Sequence, residues 1–566
     1  MGIRDERERL SQAEPLAWLN RDMQLADMVT VYLTRESDHH DHDIYCALVP
    51  TTQIEDCLGY PTWDLAHGDG LPGASRYHQE GNETVTEYLR FGVGSGVEPL
   101  VIDRMFHGMR PEYKELSEEF RLFHNLYHER NEDKYIKTDR SGNEHLIATI
   151  EPDHVEIRLL ELRQFLAIKE MHLSIQFDYR EYSVHTLKEL RVNAGGCDSR
   201  DGLLSWGLHY GDLRGIRNHR SFSRLLGKRL ISPLPKEKSG FWGFAIEEPK
   251  KYTDFIIAVN EDGDEITHTS DPNLLADYFG ANPSSPHYLT PVHFRMEVLD
   301  RYYEKPGKYT VRDGMLRCGG LWCMAIDNHQ DNQVCAWLGD LGRDLPYEEQ
   351  LHWRSHNILP TGNMSKTFVG RQLLCQSTSS RQPEHEFQRL YDELSVECNN
   401  MLGWRLLLPL AGADIHCLQA IRIPSGNEQR DFDDLVLGLT KVLVDSLNER
   451  ALNLLLRGQT RERMKGSIAR LEGVLIAQGI SGHEKHIEFL RKLQGLRSSG
   501  AAHRKGKNYR KVAEEFSIDS QSLQTVSRGM LGRAIEVLQY LTSTVRSGNL
   551  GSPARSLGDK PRSQKQ

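Results

Sequence analysis

What this chain lacks narrows it first. No run of eighteen apolar residues occurs in its 566 positions, so no membrane-spanning helix is expected. The opening stretch, "MGIRDERERLSQAEPLAW", is charged and has no apolar core, which excludes a secretory signal. Glu6 stands where a myristoylation signal wants Ser or Thr. The nine cysteines are an odd number scattered from Cys46 to Cys417. A disulfide framework would be denser and paired, so a reducing cytoplasm is expected. There is no Gly-Lys-Ser/Thr loop. The glycines at 92, 94 and 96 in "FGVGSGVEP" are misplaced for a dinucleotide fingerprint. "EDGDE" at 261–265 lacks the spaced acids of a calcium loop, and no internal repeat recurs at a fixed period.

What is present is a globular composition, 38% hydrophobic and 27% charged, with charge spread unevenly. From Asp431 onward there are 23 Lys and Arg against 14 Asp and Glu, a net +9, so the overall −10 leaves −19 on residues 1–430. A basic end on an acidic body suits a polyanionic partner for that end.

The pattern of elements predicts an α+β multidomain chain: a mixed α/β N-terminal part followed by an all-α helical bundle. The expected divisions are 1–130, a mixed region; 131–360, an α+β region; 361–430, a small α/β connection; 431–546, the bundle; and 547–566, a tail with almost nothing apolar, read as disordered. "AWLNRDMQLADMVTVYLT" and residues 111–130 read as helices. Residues 134–150 and 255–269 read as hairpins around polar turns. "HVEIRLLELRQFLAIKEM" reads as a helix and "HLSIQFDYRE" as a strand. "HEFQRLYDELSVECNNML" reads as a helix, and "WRLLLPLAG" and "IHCLQAIRIP" as strands. Beyond Asp431, "DFDDLVLGLTKVLVDSLNERALNLLL" opens with acids, as a helix N-terminus favours, and no strand signal interrupts the helices after it.

Several clusters carry residue types found at sites. "SDHHDHDIYC" gathers Asp38 to Asp43, but consecutive residues of an extended chain face opposite ways, so a solvated loop is expected. On a helix, His124 and His128 would lie one turn apart. The glutamate, Glu129, follows the second histidine instead of the first, and the polar edge of an amphipathic helix is the expected reading, with a metallohydrolase centre as the rival. Cys318, Cys323 and Cys335 have no obvious fourth ligand and read as buried free thiols. Arginines at 214, 217, 220 and 224 share roughly one helical face, and Arg214 with His219 makes an Arg-x4-His pair.

A second arginine and histidine, Arg497 and His503, stand in "LRSSGAAHRKGKNYRK" after a helical run, with Arg504, Lys505, Lys507 and Arg510 close behind. Residues 431–546 resemble the HEPN superfamily, helical bundles with Arg-x4–6-His at the end of a long helix. Here the two enclose five residues, "SSGAA". Ser498 is polar but is not the usual asparagine, and Gly500 is a further departure. The resemblance implies a metal-independent endoribonuclease with no metal and no cofactor. Arg497 would stabilise charge at phosphorus and His503 would move protons. Ser498, Arg504, Lys505, Lys507 and Arg510 would grip RNA. Asp445 or Glu449 would be a supporting acid. It also implies a homodimer or higher homo-oligomer with RNA as partner, in a toxin or antiviral-defence effector with an N-terminal regulatory or sensing part. The alternative is a non-catalytic RNA- or protein-binding or dimerisation module.

Overall fold

The computed structural model describes residues 2–59, 73–90, 96–216, 218–456, 464–500, 514, 516, 518 and 520–551. The chain falls into two compact units, Met1–Pro249 and Lys250–Gln566.

In the first unit the strands are β1 (Met28–Glu36), β2 (His40–Pro50), β3 (Gly73–Glu80), β4 (Glu83–Arg90), β5 (Val101–Arg104), β6 (Tyr113–Leu116), β7 (Tyr127–Glu129), β8 (Lys134–Thr138), β9 (Glu144–Glu151), β10 (His154–Arg158), β11 (Met171–Ser183), β12 (Gly195–Asp201), β13 (Leu204–Ile216) and β14 (His219–Ile231). The helices are α1 (Ile3–Leu10), α2 (Ala13–Leu19), α3 (Ile54–Gly59), α4 (Glu118–Phe123), α5 (Leu159–Lys169) and α6 (Leu187–Leu190). Ten strands form one antiparallel sheet in the order β12-β13-β14-β11-β2-β1-β10-β9-β8-β7. Central β11 is buried almost throughout. Alternation puts Leu173, Ile175 and Phe177 in one core with Leu162, Phe165 and Leu166 of α5, and leaves Gln176 and Asp178 on the opposite face.

Both expected hairpins and the strand at 171–183 form. Other expected elements differ. The segment read as a helix through residue 34 is a helix only to Leu19. Val29, Val31 and Leu33 then alternate inward as β1, paired with β2 and β10. The helix expected over 111–130 is broken into β6, α4 and β7. Ser117 Oγ accepts the Phe120 N–H and starts α4 late. Asn125, at φ 51°, turns the chain out of it. The helix expected from His154 begins only at Leu159, because His154–Arg158 pair with β1 and β9. The expected boundary at 130/131 falls inside the ten-stranded sheet, and the division between units lies at Pro249/Lys250.

The second unit begins with β-rich structure: β15 (Asp254–Val259), β16 (Glu265–Thr269), β17 (Pro291–Arg295), α7 (Asp300–Tyr303), β18 (Tyr309–Arg312), β19 (Met315–Cys318), β20 (Trp322–Ala325), β21 (Gln333–Trp337), α8 (Leu338–Asp344), α9 (Tyr347–Ser355) and β22 (Asn357–Ile358). It continues with helices α10 (Lys366–Gln372), α11 (Pro383–Glu397), α12 (Ile415–Gln419), α13 (Gln429–Thr440), α14 (Glu449–Leu455), α15 (Ser467–Ala477), α16 (Glu484–Gly500) and α17 (Leu523–Arg546). One core gathers Phe255, Phe294, Tyr302 and Trp353. A larger one gathers the helices from α11 onward. "WRLLLPLAG" and "IHCLQAIRIP" form no strand ladder. Leu406, Leu407 and Ile421 are apolar because they seal the helical core, and α12 lies in the second stretch. The architecture is thus α+β and multidomain, with a large N-terminal sheet and a helical C-terminal part. No helix among the described residues is long and apolar enough to cross a membrane.

Candidate functional site

Helix α16 buries Ile487, Leu490, Leu493 and Leu496 in the bundle, the spacing of one helical face. Arg497 follows the last of these and so comes out at the rim, 33% exposed. Across from it, α13 buries Phe432, Leu435, Val436 and Leu439 and then widens into a π-turn over Lys441–Asp445, closed by the Ser446 N–H donating to the Lys441 carbonyl. Such widenings re-aim side chains and are frequent at functional sites. Here the turn ends on Asp445, and Arg497 Nη1 donates to Asp445 Oδ2 at 2.6 Å. Glu449, at the start of α14, is engaged with Arg470 of α15 instead. Of the two acids singled out in the sequence, it is Asp445 that meets Arg497.

Lys441, four residues before Asp445, donates to Asp414 at 2.8 Å. That bond raises the lysine and holds the Asp414 carboxyl below its ordinary range. Gly438 lets α12 approach α13, since a Cβ there would stand 3.0 Å from the Cys417 carbonyl oxygen. The Cys417 thiol is pushed up by burial, against the pull of Lys441 and Arg497. Sequence reasoning missed Asp414 and Lys441; the one signal was the four-residue spacing of Lys441 and Asp445 on an amphipathic helix. Ser498 is exposed and its Oγ donates back to the Gly495 carbonyl at 3.1 Å. His503, Arg504, Lys505, Lys507 and Arg510 lie outside the described residues, as does the tail from residue 552.

The other clusters are placed as follows. His219 opens β14, buried and stacked on Tyr182 at 5.1 Å between ring centres, beside a cavity of about 420 Å³ that Asp41, Asp43 and Arg180 help to line. Arg214 is on β13, so that arginine and histidine flank a hairpin and not a helix. His124 ends α4, buried, its Nε2 donating to the Glu161 carbonyl at 2.8 Å, and burial pushes it down to about 3. His128 sits on β7, paired with Asp133 at 3.0 Å. The two histidines do not share a helix turn. "HDHD" is strand, not loop: His42 turns to Glu181 at 2.7 Å, while Asp41 on the opposite face accepts from Tyr182. All nine cysteines are free. Cys318 and Cys335 are buried, but Cys323 is exposed.

A polar cluster that the sequence did not flag lies in the second unit. Asp313, in the turn between β18 and β19, faces His329, and His385 lies in the first turn of α11. Asp–His–His is a metal-ligand set, but the donors here are already taken. Asp313 Oδ1 lies 2.6 Å from His329 Nε2 and accepts from Arg371 Nη1 at 2.7 Å, while Oδ2 accepts from Arg371 Nη2 at 2.8 Å. Ligands around a tetrahedral zinc stand about 3.3 Å apart, given bonds of about 2.0 Å. A separation of 2.6 Å fits a shared proton. Asn328 donates its amide to the Arg312 carbonyl and accepts from the Gly314 N–H, which fixes it. Its Nδ2 then faces His385 Nε2 at 3.2 Å, leaving the His385 proton on Nδ1, beside Ser380 Oγ at 2.8 Å. These residues do not fit a metal centre.

No family model matches the chain, and no curated protein or solved structure shows significant similarity to it.

Proposed function

We propose that the C-terminal helical segment is a HEPN-type, metal-independent endoribonuclease, acting as a homodimer in the cytoplasm, and that the rest of the chain regulates or senses for a toxin or antiviral-defence effector. The observation that carries the reading is Arg497 at the end of a long bundle helix, oriented by Asp445. Its Nε and Nη2 make no hydrogen bond among the described residues, and between them they carry three N–H groups that can meet phosphate oxygens. In the reaction, the RNA 2′-oxygen bonds to the adjacent phosphorus, the bond from phosphorus to the 5′-oxygen breaks, and a proton passes overall from the 2′-hydroxyl to the leaving oxygen. Arg497 stabilises the charge on the nonbridging oxygens and His503 carries the proton. The products are a 2′,3′-cyclic phosphate and a 5′-hydroxyl.

The test is RNA cleavage in EDTA, with hydrogen replacing the 2′-hydroxyl at the cut site. Cleavage of the ribose substrate alone is expected, and continued cutting of the deoxy substrate would refute the mechanism. A second reading, a non-catalytic binding or dimerisation module, draws on the carboxylate that already neutralises Arg497. Binding of RNA or a second copy without any cleavage would select it.

A further inference from the structure

We propose that Asp313, His329 and Asp327 form a proton-held latch, closed while His329 is an imidazolium, that ties the β18–β19 turn to the first helix of the bundle. The geometry demands the charge. His329 Nε2 lies 2.6 Å from Asp313 Oδ1, and Nδ1 lies 2.9 Å from Asp327 Oδ1, with the ring 3% exposed. A neutral imidazole has one N–H, so one of these contacts would set lone pair against lone pair. With His329 charged, two carboxylates meet two cations, His329 and Arg371, and the node is neutral. With His329 neutral, one uncompensated negative charge is left largely out of water, which proteins avoid.

The groups that face this ring from other elements are silent near neutrality. Burial pushes His385, on α11, down to about 4. His293 on β17 is lowered by burial, and Cys335 on β21 is pushed up to about 12 by burial and by Asp327. Arg371, on α10, is held charged by Asp313. Burial works against the His329 charge, but the bonds to Asp313 and Asp327 outweigh it and raise the histidine above its ordinary value. The latch is therefore fully closed below the ordinary histidine range and opens as pH rises through the higher folded value.

The two arms are unequal. Asp327 is fully buried and also accepts from the Ser365 N–H at 2.6 Å and the Ser365 hydroxyl at 2.7 Å, the residue that caps α10. Asp313 is 33% exposed and keeps Arg371 when His329 lets go. The Asp313 arm opens first. It carries with it the turn that holds Asn328 through Gly314, and Asn328 in turn holds His385 at the start of α11.

The test is hydrogen exchange of the full chain from pH 6 to 9, normalised to intrinsic rates. Protection over 309–316 and 380–387 is expected to fall by up to about tenfold per pH unit between the ordinary histidine value and the higher folded value of His329, where opening releases one proton, and to level off above it, while 365–370 stays protected. In His329→Gln and in Asp313→Asn the pH dependence disappears, the second because removing one carboxylate makes a neutral ring acceptable. A parent whose normalised protection does not change with pH overturns the latch, as does an unchanged slope in the variant that folds. A stoichiometric metal whose removal loosens the same segments also overturns it.

Discussion

Replacing Arg497 with alanine separates chemistry from folding. Its side chain is 33% exposed and that of Asp445 is 37% exposed, and an ion pair this open to water contributes about 0–1 kcal/mol. Leu493 and Leu496, which anchor the same helix end, are untouched. Arg497→Ala should therefore lower stability by less than about 1 kcal/mol. Removing a donor to developing transition-state charge costs about 10²–10³ in rate, or about 3–4 kcal/mol in the barrier. The two magnitudes differ enough to be told apart in one preparation. Asp445→Ala should fall between the parent and Arg497→Ala, since the cation remains but its aim is lost. Glu449→Ala should cleave like the parent, because that acid is engaged with Arg470. Arg214→Ala and His219→Ala, the second pair with the same residue types, should keep cleavage as well. The assay is single-turnover RNA cleavage, with circular dichroism and size exclusion on each variant. Parental cleavage by folded Arg497→Ala refutes the site. Loss of cleavage only where the fold is lost refutes the argument that the pair is weak.

Two further predictions concern folding. Asp178, 5% exposed, accepts from both Arg224 and Arg180, and although burial pushes its carboxyl up, the two arginines hold it below the ordinary range. Truncating both arginines strands the buried carboxylate, at a cost of about 3–5 kcal/mol near neutral pH that lessens on acidification as Asp178 protonates. Asp178→Ala, which lets the arginines return to water, should cost less, and hydrogen exchange of β11 and β14 reads both; equal costs would refute this ordering. Gly342→Ala on α8 would put a Cβ 1.9 Å from the Ser270 carbonyl oxygen, so a shift of backbone and a loss of about 1–3 kcal/mol are expected, checked by the denaturation midpoint of the second unit.

The helices α13 to α17 were legible because each carries an apolar face at 3.6 spacing, evidence that is local, and α13, α14 and α16 also place an acid in the first turn. The hairpins at 134–151 and 254–269 were legible for the same reason, since polar turns mark them. The strands β1 and β10 were not, because they pair with each other across a long stretch of chain: Met28 pairs with Arg158, and that pairing overrode the helical spacing read there. At the candidate site, the sequence supplied Arg497 and two possible acids. Only packing could choose between them, because the π-turn after α13 aims Asp445 across 52 residues while Glu449 turns to α15. The Asp313–His329–Asp327 cluster was invisible for the same physical reason. Three residues from two turns become one charge network only where tertiary burial removes the water that would otherwise keep them apart.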